Sequence, residues 1–294
     1  MQLTSPKTIK ELLAKYGAAP SKTMGQNFLV HAPTLAKIVE AADIGAQDTV
    51  LEIGPGLGTL TQALAAKAKK VIAIEKDRGM VEILKETEGK FGNVEVIQGD
   101  VSEIFKSQLS IINQLPKNYK IVANIPYYLT SFLIRSFLET DNRPQEIILL
   151  IQKEVAQRIC AKPPHMSILA ASVQFYATAK IVSTVSRGCF WPAPNVDSAI
   201  IKITPNIGVS EIPRETFFKI VKAGFSQPRK QLGNNFCKAL GNEPAFAQGS
   251  GVAKETVTAW LQKNNIEPKR RAETLTVEDW INLTKSYSQL SSIT

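Results

Sequence analysis

The tetrapeptide Asn124-Ile125-Pro126-Tyr127 concentrates the most chemistry in the fewest residues. It follows an apolar run, Tyr119 to Ala123, that reads as a buried strand. An amide, a stiff proline and an aromatic ring at a strand end suit one task, the holding of a planar amine. The Asn124 side-chain oxygen and the Ile125 carbonyl can each accept a hydrogen bond from an exocyclic NH2, and the Tyr127 ring can stack on the base that carries it. The lone pair of such an amine is delocalised into its ring, so the free group is a poor nucleophile. Accepting both N–H bonds favours a tetrahedral nitrogen with its lone pair aimed at an electrophile. The proton can leave after transfer, so no general base is required. That fits a chain with only two histidines, His31 and His165, both read as structural or solvated. Alignment and desolvation then lower the barrier. A second candidate for stacking is Phe190, in the stretch Phe190 to Ser198, whose two prolines read as a stiff loop. Phe190 and Trp191 could equally serve as anchors of that loop.

A glycine-rich turn, Glu52-Ile-Gly-Pro-Gly-Leu-Gly58, lies upstream. Glycines let a backbone turn sharply and approach a ligand closely. Thr59 stands where a dinucleotide fingerprint needs its third glycine, so the spacing of Gly54, Gly56 and Gly58 disfavours a nicotinamide oxidoreductase. It is the spacing seen in methyltransferases that use S-adenosylmethionine. Two acids fall at later strand ends. Glu75 can accept both ribose hydroxyls of a nucleoside, and Asp100 can bond an adenine amine. Either alone could be a helix cap or a surface acid. In chain order, however, Gly54, Glu75, Asp100 and Asn124 all fall at carboxyl ends of strands, where open α/β sheets bind ligands.

The elements that must position these groups alternate. Strands are predicted at Thr49–Ile53, Val71–Ile74, Val94–Gln98, Ile121–Ala123 and Ile147–Gln152. Helices are predicted at Thr59–Lys67, Arg78–Thr87, Ser131–Glu139 and Glu154–Ile159. Two helices, Thr4–Tyr16 and Pro33–Ala42, precede them. Short apolar strands alternating with helices imply a parallel sheet covered on both faces. Val173–Phe175, Ile181–Val185 and Ala199–Ile203 read as strands of an antiparallel edge. Past Thr204-Pro205-Asn206-Ile207-Gly208 the pattern turns helical, over Thr216–Phe225, Lys230–Leu240, Thr256–Lys263 and Val277–Ser288, with breaks at Gly241 and Gly249–Gly251. The fold class expected is α/β, a Rossmann-like methyltransferase sheet with a small all-helical C-terminal domain. The domains expected are residues 1–205 and 206–294.

Composition sets the outer bounds. The chain has 294 residues, 44% of them hydrophobic, which is ordinary for a globular protein with a full core. No apolar stretch is long enough for a membrane span, and the N-terminal residues lack the apolar core of a signal peptide. Cys160, Cys189 and Cys237 are scattered, with no CxxC pair, so neither a metal site nor a disulfide framework is expected. A cytoplasmic location follows. The net charge of +9 suits a polyanionic partner. Residues 1–30 hold four Lys/Arg against one Glu, and residues 206–294 hold twelve against eight acids. The excess therefore sits at the two ends. Arg229 with Lys230, and Lys269 with Arg270 and Arg271, form two candidate phosphate-binding clusters, unless they are ordinary solvated charge.

The chain resembles the KsgA-type small-subunit rRNA adenine N6,N6-dimethyltransferases over almost its whole length. The resemblance is carried by Gly25-Gln-Asn-Phe-Leu29, Glu52 to Gly58, Asn124 to Tyr127, Gln152 to Arg158 and Phe190 to Ser198. It continues through Phe225 to Leu232 with Asn234 and Asn235, and Arg271-Ala-Glu-Thr-Leu275. It implies S-adenosylmethionine contacts at Asn27, Leu29, Gly54, Glu75, Asp100 and Asn124. It also implies dimethylation of two adjacent adenosines in a hairpin loop near the 3′ end of 16S rRNA, so the partner expected is 16S rRNA or an immature 30S subunit, and the enzyme is expected to be a monomer. Two departures stand out: a less basic Ser21-Lys-Thr-Met24, and Ala161 to Ser167 in place of a longer Gly/Tyr-containing loop. Erm-type 23S rRNA adenine methyltransferases share the Asn-x-Pro-Tyr chemistry. The Arg271 to Leu275 tail and the Arg229-Lys230 pair favour the small-subunit family. A non-catalytic nucleic-acid-binding relative is the rival of another class, and the intact cofactor residues argue against it.

Overall fold

The computed structural model describes residues 2–106, 111–206, 212–242, 246 and 253–291. The expected Gly249–Gly251 break, and Ile207 and Gly208 of the expected boundary, lie outside the described residues. The chain forms two compact units, residues 1–157 with 178–205, and residues 158–177 with 206–294.

The first unit runs α1 (Pro6–Lys15), β1 (Phe28–Leu29), α2 (Ala32–Ala42), β2 (Thr49–Ile53), α3 (Thr59–Ala65), β3 (Lys70–Glu75), α4 (Arg78–Glu88), β4 (Val94–Gln98), α5 (Val101–Lys106), β5 (Lys120–Asn124), α6 (Thr130–Glu139) and β6 (Glu146–Gln152). Helix α7 (Lys153–Ile159) leaves it. The chain returns through β7 (Ala177–Val185), β8 (Phe190–Trp191) and β9 (Ser198–Pro205). Seven strands form one sheet in the order β4-β3-β2-β5-β6-β9-β7. The pairs from β4 to β6 are parallel, and β9 runs antiparallel to β6, with Gln152 opposite Ser198. Sheet order reverses between β2 and β5, so loops diverge there and open a crevice at the carboxyl ends of the strands. The central strands are apolar on both faces because helices cover both. Val50, Val71, Val122, Ile148 and Ile200 pack with Ile38 of α2 and Leu64 of α3. A separate two-stranded sheet pairs β1 with β8, Phe28 opposite Trp191 and Leu29 opposite Phe190.

In the second unit, α8 (Ile168–Tyr176) joins α9 (Arg214–Gly224), α10 (Leu232–Leu240), α11 (Ala253–Lys263) and α12 (Val277–Ser291). Trp280 is fully buried and stacks with Phe225 at 5.6 Å, while Phe175 stacks on Phe217 at 4.0 Å. The expectation of a strand at Val173–Phe175 is corrected: these residues lie inside α8. The Ser167 hydroxyl accepts from the Ala170 N–H and starts the helix; the alternating burial of Val173, Gln174 and Phe175, which mimics a strand, belongs to a helix also buried at Ala170, Ala171 and Tyr176. Residues 158–177, read along the chain as part of the first domain, pack with the C-terminal helices. The Gln174 amide donates to the carbonyls of Ile159 and Ala161, and the Met166 N–H donates to the Glu273 carbonyl at 2.9 Å. The short Ala161–Ser167 connection is therefore tied within the helical unit. Among the described residues, no helix is long and apolar enough to cross a membrane, and no cluster of His, Cys, Asp or Glu could hold a metal ion.

Candidate active site

One cleft at the carboxyl ends of the strands is lined by all ten residues expected at the catalytic and cofactor sites: Asn27, Leu29, Gly54, Glu75, Asp100, Asn124, Ile125, Pro126, Tyr127 and Phe190. Its floor is the turn between β2 and α3. There Gly54, Gly56 and Gly58 have φ of 67°, 57° and 88°, a region that side chains disfavour. A Cβ at Gly58 would also lie 2.4 Å from Glu88 Oε1 and 2.8 Å from Leu84 Cδ1, so the turn closes directly onto α4.

Glu75 ends β3 and is buried. One carboxylate oxygen accepts from the Gly56 N–H at 3.0 Å, the other from the Asp77 N–H at 2.8 Å. The side chain thus ties the glycine turn to the strand beside it and keeps lone pairs for a ligand. Burial raises its pKa, against the pull of these two amides. Asp100 ends the next strand connection. It accepts from Lys76 Nζ at 2.8 Å, from the Ser102 N–H at 2.8 Å and from the Ser102 hydroxyl at 2.6 Å. These bonds, the Lys76 bond foremost, pull its pKa down to about 2. Asp100 is therefore both a turn-forming acid and a cleft residue.

Residues 24–29 form one wall. The Asn124 amide nitrogen donates to the Asn27 carbonyl at 3.2 Å, and the Asn27 amide donates to the Gly25 carbonyl at 3.0 Å. Asn124 lines the cleft, and its Oδ1 has no hydrogen bond among the described residues. Tyr127, half-buried, follows Pro126, and its hydroxyl lies 2.8 Å from Ser198 Oγ. Phe190 has a double position. It lines the cleft, yet it is only 4% exposed and packs in the core beside Leu29.

Several positioning groups were not singled out in the sequence. Gln26 accepts from the Ser21 N–H and donates to Asp77 Oδ2 at 2.9 Å, which ties the wall to the start of α4. Asp77 caps that helix through Gly79 and Met80. Asp77 precedes a helical run and carries a local capping signal; Ser198 carries none. Beneath the turn, burial lifts Glu52 to a pKa of about 8, with the Glu88 and Glu75 charges adding, and lifts Glu88 to about 7. Glu52 Oε2 and both Glu88 oxygens have no hydrogen-bond partner of good geometry among the described residues, so burial favours the protonated form of both groups.

In the helical unit, Arg229 and Lys230 do not open a helix. They lie exposed in the turn before α10, whose first residue is Leu232. The Leu232 N–H donates to the Arg270 carbonyl at 2.8 Å, and the Gly233 N–H to the Pro268 carbonyl at 3.0 Å. These bonds bring the two basic clusters side by side. Lys269 and Arg271 are exposed, while Arg270 turns back to the hydroxyl and carbonyl of Thr274.

Residues 19–289 match the family model described as ribosomal RNA adenine dimethylase. A ribosomal RNA small subunit methyltransferase A of Dehalococcoides mccartyi is 41% identical over 95% of this chain and 92% of its own length. The crystal structure of a dimethyladenosine transferase from Plasmodium falciparum superposes with a TM-score of 0.77 at 28% identity, covering 89% of this chain and 97% of that one. That of the 23S rRNA methyltransferase ErmE gives 0.69 at 25% identity, over 90% of this chain and all of that one. The chain belongs to the ribosomal RNA adenine dimethylase family and is an rRNA adenine methyltransferase on a Rossmann-like sheet.

Proposed function

We propose that the enzyme transfers methyl groups from S-adenosylmethionine to the N6 amines of two adjacent adenosines in a hairpin loop near the 3′ end of 16S rRNA, within an immature 30S subunit. The observation that carries the reading is the Asn124 amide, held by the Asn27 carbonyl with its oxygen free in the cleft.

The cleft fits the cofactor. Its floor is backbone that a side chain would strain, its wall carries a buried carboxylate with spare lone pairs, and the acceptor residues lie along the same cleft. Gly54 and the turn after it would take the methionine portion, Glu75 the ribose hydroxyls and Asp100 the adenine edge, with Asn27 and Leu29 closing the wall. When bound, the cofactor supplies a methyl group on a sulfonium, already electrophilic. The remaining work is positional. Asn124 Oδ1 and the Ile125 carbonyl accept the two N–H bonds of the target amine. Pro126 keeps that carbonyl from turning, and Tyr127 stacks on the base, with Phe190 as the apolar surface beside it. Arg229, Lys230, Lys269 and Arg271 contact phosphates. Arg270, which braces Thr274, contributes charge beside them.

Similarity to ErmE makes a large-subunit rRNA substrate the second reading. The closer identity to a small-subunit enzyme favours the first. Mapping N6,N6-dimethyladenosine in small- and large-subunit rRNA after incubation with the enzyme decides between them. Modification confined to large-subunit rRNA would reject the proposal.

A further inference from the structure

Asn124 and Pro126 are each held by neighbours. Asn124 is tied to the Asn27 carbonyl, and Pro126 fits where a Cβ on Gly25 would be 3.7 Å away and one on Gly54 3.8 Å away. Tyr127 is fixed differently. A tyrosine swings about χ1, so a bond at the far end of its ring sets the direction of the whole ring. That bond is to Ser198, at 2.8 Å. Ser198 is fully buried and opens β9 opposite Gln152. Its neighbour Asp197 is pinned twice, its carbonyl accepting from the Lys153 N–H at 2.9 Å and its carboxylate from the Arg187 N–H at 3.0 Å. The serine hydroxyl is therefore a rigid post at the antiparallel edge of the sheet, and it reaches the loop that ends the parallel part. Burial raises the Tyr127 pKa, so the hydroxyl stays protonated at neutral pH and the bond persists.

We propose that Ser198 is a positioning residue for methyl transfer, which aims the Tyr127 ring at the place where the acceptor adenine stacks. This rests on the reading of Tyr127 as the stacking residue. The serine touches neither cofactor nor base. Its contribution passes through one hydrogen bond, and its loss leaves the ring present but free to swing.

The test is a double-mutant cycle with Ser198→Ala, Tyr127→Phe and the double variant. Single-turnover methylation is followed at saturating cofactor, on whichever rRNA the parent enzyme modifies, and cofactor affinity is measured by calorimetry. Each single variant should lose about three- to tenfold in rate, the scale of one net hydrogen bond. The double variant should be no slower than either single, because both remove the same bond. Cofactor affinity should match the parent. Losses that multiply in the double variant, a parental rate for Ser198→Ala, or a parallel loss of cofactor affinity would each overturn the proposal. A parent enzyme that methylates no rRNA at all overturns this and the functional reading together.

Discussion

The Asn124 side-chain amide donates to the Asn27 backbone carbonyl across 3.2 Å. A carboxamide has one donor end and one acceptor end. Committing the donor end to Asn27 leaves the acceptor end for a ligand, so on the proposed reading the segment that walls the cleft also orients the group that would receive the target amine.

Asn124→Ala should lower methyl transfer about a hundredfold or more, the scale of a misaligned reacting group, while RNA binding persists because phosphate contacts supply most of it. Asn124→Asp should fail similarly, since a carboxylate cannot donate to the Asn27 carbonyl. Methylation within a few-fold of the parent, measured by radiolabel transfer, would rule out alignment of the amine by Asn124.

Glu75→Ala should weaken S-adenosylmethionine binding by roughly 1.5–3 kcal/mol, as expected when hydrogen bonds to a charged group are lost. Two effects contribute, the lost ribose contacts and the release of the Gly56 amide that the carboxylate holds. Unchanged affinity by calorimetry in a folded variant removes Glu75 from the site.

Stability should fall as pH rises from about 4 to about 8. Folding keeps Glu52 and Glu88 protonated to higher pH, with pKa values raised to about 8 and about 7. The unfolded chain ionises them near 4.3. For a raised carboxylate, the stabilising contribution is complete below the unfolded pKa and is lost as pH climbs through the folded one. Glu52→Gln should flatten this slope in urea titrations at several pH values. An unchanged slope would mean that Glu52 is ionised in the fold.

Alanine at Arg229 and Lys230, or at Lys269 and Arg271, should weaken RNA binding and reduce the log–log salt slope by about one unit per lost phosphate contact. Cofactor affinity should not move. Because the Leu232–Arg270 hydrogen bond places the clusters together, the two pairs should act on the same stretch of RNA. A parental slope for both variants would assign this surface to another task.

Gly224→Ala should cost about 1–3 kcal/mol, as expected for overpacking a filled core. A Cβ there would lie 2.4 Å from the Trp280 ring, which is fully buried. A thermal melt equal to the parent's would show that Trp280 can shift freely.

Much of this was local and therefore open to reading. Strands β2 and β4 were predicted with their observed limits, and most other elements of the sheet within a residue or two, because short apolar runs bounded by glycine and acids are a sequence-local signal. The residues at those strand ends were named in order, and all of them line one cleft. Local signals failed where burial, not periodicity, set the outcome. Val173–Phe175 looks like a strand because it is apolar; it is helical because Ser167 caps it and its face packs on Phe217. A helix end also moved, without burial as the cause: Lys230 was predicted to start a helix, yet it is exposed and α10 begins at Leu232.

What the amino-acid order determined by itself was the parallel sheet, the glycine turn, the acids at the strand ends and the Asn124 to Tyr127 tetrapeptide that follows β5, since each depends on neighbours a few residues apart. The tertiary structure alone decided the rest. It tied the Asn124 amide to the Asn27 carbonyl, raised the pKa values of Glu52 and Glu88 by burial, drew two basic clusters together and brought Ser198 to the Tyr127 hydroxyl. Each of these is a contact between residues far apart in the chain. Such a contact forms only once the core has closed and water is excluded from it, and no periodicity or spacing along the chain records it.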